Sequence, residues 1–585
     1  MLKLAKKLGK KEIFCILISI CFVTFQVWLD LKIPDYMTEI TRYVQTEGST
    51  ISDVLNPGIK MILCALGSLA SSFVVGYFAS YVAALFAKTL RRDVFLKVEN
   101  FGMEEIKKFS TSSLITRTTN DITQVGMLIA IGLQVIIKAP IMAVWAITKI
   151  AGKNFSWSIA TFIAVVVLLT MIFTIVLVAL PKFKIIQKLT DNLNRITREN
   201  LTGIRVVRAF NAENYQENKF AKANDELTST NLFAQRIMAI MAPVMQLIMQ
   251  GLTLSIYFIG AYLINEAHML DKINIFSDMV VFSSYAMQVV MSFMMLTIIF
   301  ILYPRASVAA KRVLEVLETK NSIKYGTKTK GIEEGTVEFK NVSFKYPDAE
   351  EYLLKDISFK ASKGDTVAFI GRTGSGKSSL INLVPRFYDA TEGEVLVDGI
   401  NVKEYQEEAL YDKIGYIPQK AVMFKGSILD NVGYGKKTGK KYTKDEMIKA
   451  IEVAQGEDFV LKMPHKYNEM VARGGTNISG GQKQRLSIAR AINKDPEIYI
   501  FDDSFSALDY KTDLSLRKAL KSYTKDATTL IVAQRIGTIK NADLILVIED
   551  GKIVGKGKHQ DLIKNCKVYK EIALSQLSKE EIENA

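Results

Sequence analysis

A glycine-rich stretch, GRTGSGKSS, contains the residues of this 585-residue chain with the clearest chemical potential. It follows the apolar segment TVAFI and precedes a helix-like segment, so it matches the phosphate-loop pattern G-x-x-x-x-G-K-[ST] in its expected context. The glycines let backbone N–H groups face phosphates, Lys377 can reach the β and γ phosphates, and Ser378 can ligate Mg²⁺. The predicted phosphate-binding residues are Gly371, Arg372, Thr373, Gly374, Ser375, Gly376, Lys377, Ser378 and Ser379.

Two adjacent aspartates end the apolar segment EIYIF further along the chain. Asp502 is suited to hold Mg²⁺ opposite a phosphate loop. Asp503 follows at the position where hydrolysis at such a site usually requires a glutamate, and its side chain is one methylene shorter. The pair predicts a nucleotide-hydrolysing site and leaves open whether its hydrolysis is normal or weakened.

A third motif, SGGQ, lies between these two within NISGGQKQRLSIAR. It offers a hydroxyl and free backbone N–H groups where a helix is expected to begin, which predicts a second anion-binding surface. Its residues are Ser479, Gly480, Gly481 and Gln482.

On these motifs the chain resembles the ATP-binding cassette family, and the resemblance covers nearly its whole length. The family signature is usually L-S-G-G-Q, from which Ile478 is a mild departure. The resemblance implies ATP and Mg²⁺ as ligands, with Tyr346 stacking on adenine and Gln419 contacting Mg²⁺ and sensing the transport domain. In that family two cassettes enclose two ATP molecules, each between one chain's phosphate loop and the other chain's signature. The segment SALD, at 506–509, matches the loop that crosses this dimer interface.

Two residues depart from the family pattern at the positions that manage the attacking water. Asp503 replaces the glutamate, and its shorter side chain retracts the carboxylate by roughly 1–1.5 Å, a misplacement that can cost about a hundredfold in rate. Gln534 stands where the resemblance expects a histidine, and an amide cannot carry a proton or a positive charge. None of the three histidines of the chain lies where it would substitute. The candidate catalytic residues are therefore Asp503, Gln534 and Gln419, and hydrolysis at this site is predicted to be impaired.

Because the signature is intact while the chain's own hydrolytic residues are not, we expect a heterodimer. A second half-transporter would supply the consensus glutamate and histidine, and this chain would complete the partner's site. The alternatives are a slow homodimeric ATPase exporter and an ATP-gated channel or regulatory protein on the same fold.

Six segments are apolar and long enough to span a bilayer as helices, which takes about 20 residues each. They lie near 13–31, 59–87, 127–150, 156–181, 237–264 and 277–303. Lysines before the first segment, and acidic residues in a loop expected at 32–58, indicate a cytoplasmic N-terminus. Two longer polar stretches, within 88–126 and 182–236, fit helices that extend beyond the membrane and turn at tip, or coupling, segments.

Two features of the membrane half left alternatives open. Methionines recur on one face of the fifth segment and of the sixth, which fits either helix packing or an adaptable lining for apolar ligands. Lys138 is the clearest intramembrane charge, and it fits either a water-filled pathway or snorkelling to the inner interface. The methionines are Met238, Met241, Met245 and Met249, then Met287, Met291 and Met294.

Composition agrees with one membrane part and one soluble part. Hydrophobic residues make up 49% of the chain, and the net charge of +15 fits basic cytoplasmic segments better than nucleic acid, because no aromatic-basic binding module accompanies it. The four cysteines have no metal-ligand spacing, which indicates a reduced, cytoplasm-facing protein.

The predicted architecture is multidomain. An all-α, six-helix, domain-swapped exporter-type membrane domain occupies residues 1–315, a linker 316–335, and an α/β phosphate-loop ATPase cassette 336–580. The predicted function is ATP-driven export of amphipathic drugs or lipid-like compounds across a bacterial plasma membrane.

Overall fold

The computed structural model describes residues 2–46, 48–435, 437 and 439–576 of the chain. The chain forms two compact units. The first comprises the chain up to Glu99 together with Thr111–Thr319, and the second comprises Asn100–Ser110 together with the chain from Lys320 onward. The expected membrane domain includes residues 100–110, whereas this segment packs with the second unit. The expected cassette end at 580 lies outside the described residues.

Six long helices build the first unit. Each is long and apolar enough to cross a membrane and, at 31 to 54 residues, exceeds what a bilayer requires. These lengths agree with the expectation of helices that extend beyond the membrane. The helices are α1 (Lys10–Gln45), α2 (Ile51–Glu99), α3 (Asn120–Ile150), α4 (Phe155–Thr202), α5 (Glu213–Glu266) and α6 (Met269–Glu318).

The loop expected at 32–58 is mostly helical, because α1 continues to Gln45 and α2 begins at Ile51. One polar residue of this stretch, Asp35, has partners on neighbouring helices. The Asp35 carboxylate accepts hydrogen bonds from Lys149 Nζ at 2.7 Å and from the Tyr285 hydroxyl at 2.5 Å. Because its carboxylate has these partners, Asp35 is accommodated within α1 and does not end the helix.

Four short helices complete the membrane half and its connections. The first tip helix is Met103–Phe109 and belongs to the second unit, whereas the second tip helix is Ile204–Ala209 and belongs to the first. Leu2–Ala5 and Thr111–Thr118 are the other two.

The cassette contains three sheets. A six-stranded sheet has the order β12-β11-β3-β10-β9-β6, parallel except for β12, and a four-stranded antiparallel sheet has the order β2-β1-β4-β5. A two-stranded sheet pairs β7 with β8. The strands are β1 (Val337–Phe344), β2 (Leu354–Ala361), β3 (Thr366–Ile370), β4 (Glu392–Val397), β5 (Ile400–Asn401), β6 (Ile414–Ile417), β7 (Gly426–Ser427), β8 (Met470–Val471), β9 (Ile498–Asp502), β10 (Thr528–Val532), β11 (Leu544–Glu549) and β12 (Lys552–Gly557).

Helices and 3₁₀ turns connect these strands, and two buried hydrophobic clusters, one on each side of the parallel strands, hold them together. Ligands of parallel α/β sheets bind beyond the carboxyl ends of the strands, which here are the ends of β3, β6, β9 and β10. The cassette helices are α7 (Lys377–Ile381), α8 (Glu407–Lys413), α9 (Ile428–Val432), α10 (Lys444–Val453), α11 (Glu457–Val460), α12 (Gly480–Lys494), α13 (Tyr510–Tyr523), α14 (Ile536–Ile539), α15 (His559–Asn565) and α16 (Lys567–Leu574), with 3₁₀ turns at Val402–Glu404, Lys466–Asn468 and Arg473–Gly475.

Candidate nucleotide-binding site

The phosphate loop turns from the buried strand β3 into helix α7. Gly374 and Gly376 have φ values of 87° and 92°, a left-handed conformation that side chains rarely adopt. A Cβ on Gly371 would lie 2.0 Å from the carbonyl oxygen of Ile548, so only glycine fits this close approach. Arg372, Thr373 and Gly374 are exposed. The loop therefore has the glycine-dependent geometry that lets backbone N–H groups face an anion.

The first residues of α7 orient charge and hydroxyl groups at the loop. Lys377 Nζ donates to the carbonyl oxygens of Gly371 and Arg372 at 2.9 and 2.8 Å. Burial lowers the pKa of the Lys377 ammonium, and the carboxylates of Asp503 and Asp502 oppose that effect. The ammonium is therefore held inside the loop, where the β and γ phosphates of a bound nucleotide would lie.

Ser378 and Asp502 are joined directly. The Ser378 hydroxyl donates to Asp502 Oδ1 at 2.6 Å, connecting α7 to the end of β9. Burial raises the pKa of Asp502, a hydrogen bond from Ser378 lowers it, and the charge of Asp503 raises it again. A hydroxyl and a carboxylate are oxygen donors of the kind that Mg²⁺ prefers, and Gln419, which the resemblance assigns to the same ion, bonds to the adjacent Asp503.

Asp503 is held by the side chains of two glutamines. Gln534 Nε2 donates to Asp503 Oδ2 at 2.8 Å, and Gln419 Nε2 donates to the same oxygen at 3.3 Å. The backbone of Asp503 is left-handed, with φ 47°, which aspartate tolerates better than most residues. Burial raises the pKa of this carboxyl, while the hydrogen bond from Gln419 opposes the rise. The three candidate catalytic residues thus form one hydrogen-bonded group.

Tyr346 lies at the side of the phosphate loop. Its hydroxyl is 2.8 Å from the hydroxyl of Ser379, and its ring packs edge-on against Tyr388 with centroids 5.2 Å apart. Lys107, from the first tip helix, lies 4.4 Å from the centroid of the Tyr346 ring. The short motif around Lys107, MEEIKKF, has no pattern that would single out this lysine, so sequence reasoning did not identify it.

The signature residues form a separate surface of the cassette. Ser479 caps α12: its side chain accepts from the backbone N–H of Gln482 at 3.3 Å, and Gln482 Oε1 accepts from the backbone N–H of Ser479 at 2.9 Å. Ser479 and Gly480 are exposed, and Gly481 and Gln482 are half-buried. Over the residues that the structure describes, no hydrogen bond joins this motif to the phosphate loop. The predicted binding residues therefore fall into two groups.

The methionines of the two faces lie partly in the core of the bundle and partly along cavities. Met245 is buried in the core of the bundle, whereas Met238 and Met241 line a cavity of about 140 Å³. Met291 lines a second cavity, of about 330 Å³, next to Asp30.

Lys138 pairs with Asp30 inside the bundle. The distance from Lys138 Nζ to Asp30 Oδ2 is 3.1 Å, and the Ser68 hydroxyl donates to Asp30 Oδ1 at 2.5 Å. The sequence pattern did not single out Asp30, because this residue lies at the edge of an apolar segment. The pair makes snorkelling unnecessary as an explanation for this lysine.

Six membrane-spanning helices followed by a phosphate-loop cassette define the subunit of an ATP-driven membrane transporter. Family models for the ABC transporter transmembrane region and for the ABC transporter match residues 16–293 and 354–506. The chain belongs to the ABC transporter family as an exporter half-transporter, a multi-pass plasma-membrane protein with a cytoplasmic ATP-binding domain. Members of this family are generally ATPases.

Relatives match over most of the chain. An uncharacterized ABC transporter ATP-binding protein of Mycobacterium tuberculosis is 38% identical over 556 residues, 93% of each chain. An ATP-dependent lipid A-core flippase of Pseudomonas fluorescens is 31% identical over 86% of this chain and 83% of its own. A bacterial Atm1-family ABC exporter, whose structure was solved with ATP bound, has the same fold, with a TM-score of 0.80 and 22% identity over 97% of this chain and 100% of that one.

Proposed function

We propose that this chain is the degenerate-site subunit of a heterodimeric exporter for amphipathic or lipid-like compounds. The observation that carries the proposal is the engagement of Asp503 Oδ2 by two amide donors, Gln534 at 2.8 Å and Gln419 at 3.3 Å. A carboxylate that is short by one methylene and bonded to two amides is poorly disposed to polarise an attacking water. Gln534 also cannot carry a proton or positive charge to the γ phosphate.

Nucleotide binding is unaffected by these departures. The loop from Gly371 to Ser379 would bind the phosphates through backbone N–H groups and Lys377, and Tyr346 would stack on adenine. Ser378, Asp502 and Gln419 would hold Mg²⁺, which, when bound, neutralises phosphate charge. The site would therefore retain ATP and hydrolyse it slowly.

The exposed signature supports a role in another chain's site. Ser479 and Gly480 offer a hydroxyl and backbone N–H groups at a helix N-terminus, where an anion is favoured. Facing the partner's phosphate loop, they would complete a site that has the consensus glutamate and histidine. Hydrolysis at that site would drive most of the turnover.

Exposed apolar residues on the second tip helix support a partner cassette. Val206 is 60% exposed and Phe210 78% exposed at the end of a six-residue helix. Large apolar side chains at such a position mark a protein contact. We infer that this tip enters the partner's cassette, so that closure of the cassettes around ATP moves the helix bundle between inward-open and outward-open states.

The substrate class is supported by the membrane half and by one relative. Met238, Met241 and Met291 line cavities in the bundle, and methionine adapts to apolar ligands of varied shape. The Pseudomonas relative is named as a lipid A-core flippase, which favours a lipid-like molecule as the second candidate.

The test is asymmetric mutagenesis of the purified pair. The chain is expressed alone and together with the product of a neighbouring half-transporter gene, and ATPase activity is measured. We expect the pair with Asp503→Ala to retain much of its activity and the pair lacking the partner's glutamate to lose it. The opposite ranking, or a lone chain with full substrate-stimulated turnover, would establish a homodimeric exporter instead. ATP-dependent accumulation of substrate in proteoliposomes separates an exporter from a channel.

A further inference from the structure

The side chain of Tyr346 contacts several neighbouring side chains. Its hydroxyl meets Ser379 at 2.8 Å, and its ring lies perpendicular to Tyr388, with centroids 5.2 Å apart. Phe344 packs against it in a second edge contact, at 5.0 Å. These contacts restrain the plane of the ring beside the phosphate loop, and its π faces are the surfaces through which it would stack on a base.

An ammonium group occupies one of these π surfaces. Lys107 Nζ lies 4.4 Å from the centroid of Tyr346 and 5.5 Å from that of Tyr388, both within the range of a cation–π interaction. The lysine therefore contacts the same ring to which the resemblance assigns adenine stacking. A tyrosine ring has two faces, so an ammonium on one face and a purine on the other would share its π electrons.

The helix that carries Lys107 is anchored beside the cassette. Glu105 is 4% exposed, and its Oε1 accepts from the backbone N–H of Ser322 at 2.8 Å. Asn321 Nδ2 donates to the carbonyl oxygen of Asn100 at 2.5 Å, and the rings of Phe101 and Phe109 stack at either end of the segment. With both ends fixed, the lysine does not have to be ordered when a nucleotide binds, which lowers the entropic cost of its contribution.

We propose that Lys107 is a positioning residue for the nucleotide base: through Tyr346, it raises the affinity of this chain for ATP and makes docking of the first tip helix depend on occupancy of the site. The proposal rests on the assignment of Tyr346 to adenine in the proposed function. Because linkage is reciprocal, ATP must strengthen the docking of the tip helix by the same factor by which the docked lysine strengthens ATP binding.

The experiment compares two ligands in the full-length chain reconstituted in lipid nanodiscs. Mg²⁺-ATP and Mg²⁺-tripolyphosphate, which has the phosphates without the base, compete against a fluorescent ATP analogue. Lys107→Met keeps the length of the side chain but removes its charge, and we expect it to weaken ATP binding by about 3- to 10-fold with tripolyphosphate binding unchanged. Lys107→Arg should restore ATP affinity, because a guanidinium also binds a π face.

The matched control is Lys108→Met on the same helix. The Lys108 ammonium lies 5.9 Å from the centroid of the Phe109 ring, whereas Lys107 is the residue on the Tyr346 ring, so both affinities should stay at the wild-type value. Equal weakening of ATP and tripolyphosphate by Lys107→Met would overturn the proposal, because the lysine would then act on the phosphates or on folding. An unchanged ATP affinity would overturn it as well.

A fourth variant, Tyr346→Ala, separates this proposal from the proposed function. If Tyr346→Ala leaves ATP affinity unchanged, the adenine role of the tyrosine fails and the role of Lys107 fails with it. If Tyr346→Ala weakens ATP binding and Lys107→Met does not, only the positioning role fails. For the reciprocal effect, the thiol introduced by Glu104→Cys should react more slowly with a maleimide when ATP is bound, and an unchanged reaction rate contradicts the linkage.

Discussion

Gln534 Nε2 and Asp503 Oδ2 are 2.8 Å apart, so the side chains at the two altered positions bond to each other. The two departures are therefore one local arrangement and not two independent substitutions. A glutamate at position 503 would have a longer side chain than Asp503. A histidine at position 534 could carry a positive charge, which Gln534 cannot. This arrangement supports the proposal that the site binds ATP and hydrolyses it slowly.

Restoring both positions should restore hydrolysis at this chain's own site. We expect Asp503→Glu with Gln534→His to raise the ATPase rate of the lone chain, if it dimerises, or of the pair lacking the partner's glutamate, by about 10- to 100-fold. Asp503→Glu alone should give a smaller gain. Asp503→Asn with Gln534→His serves as the control, since it adds a histidine without a carboxylate. If the ATPase rate of the double variant does not increase, the cause of slow hydrolysis does not lie at positions 503 and 534.

Lys377 should be required for nucleotide binding. Lys377→Ala removes the ammonium that the carbonyl groups of Gly371 and Arg372 hold in the loop, and we expect affinity for ATP to fall by at least tenfold in fluorescence titrations. Lys363→Ala removes an exposed lysine, paired with Glu334 on the cassette surface, and should leave affinity unchanged.

Mg²⁺ should contribute to ATP binding through Ser378. Removing Mg²⁺ with EDTA should weaken ATP binding by the wild-type chain. The same treatment should cause little further loss of ATP affinity in Ser378→Ala.

Breaking the Asp30–Lys138 pair should cost stability, because a single charge would remain inside the bundle. We expect Lys138→Met to lower the thermal unfolding temperature in detergent, and Asp30→Leu combined with Lys138→Met to recover most of the loss. The double variant also decides what the pair does. Recovered stability with lost transport means that the pair lines the pathway, whereas recovery of both means that its role is structural. A single variant as stable as the wild type would contradict the expectation.

The second tip helix should couple ATP use to transport. Phe210→Asp changes a side chain that is 78% exposed, so the folded subunit should be unaffected. If Phe210 docks on a partner cassette, substrate-stimulated ATPase activity and transport should fall severalfold while the unfolding temperature stays constant. Ile332→Asp, an equivalent change at a residue that is 80% exposed on the linker, is the control. Equal activity of the two variants would show that Phe210 makes no such contact.

Local motifs in the sequence were sufficient for the phosphate loop, the signature helix and the six long helices. Each depends on residues close together in the chain, such as the glycines around Lys377 or a long apolar run. The contacts that decide how the site works are not local. Nothing in the sequence indicated that Gln419 and Gln534 would bond to one oxygen of Asp503, because the three residues follow different strands.

Contacts between residues far apart in the sequence also explain which features of the membrane half the sequence did not predict. Asp30 and Lys138 are on different helices, and their pairing follows from packing and not from spacing. Asp35 is one of the polar residues that predicted a loop. Hydrogen bonds from Lys149 and Tyr285 instead stabilise Asp35 within a helix. Lys107 could not be connected with Tyr346, since the two residues are far apart in the sequence.

The segment Asn100–Ser110 packs with the chain from Lys320 onward, although the four long helices α3 to α6 separate them in the sequence. During synthesis this segment emerges early and must wait until the ribosome has completed the stretch from Thr111 to Thr319 before its packing surface exists. Phe101 and Phe109 are 8% and 4% exposed in the finished protein, and any part of their burial that the later chain provides is missing until then. Cassette fragments that start in the linker would lack this segment altogether, so their affinity for ATP would underestimate that of the complete chain. Assembly of this transporter is therefore expected to be sensitive to agents that bind exposed aromatic side chains during translation.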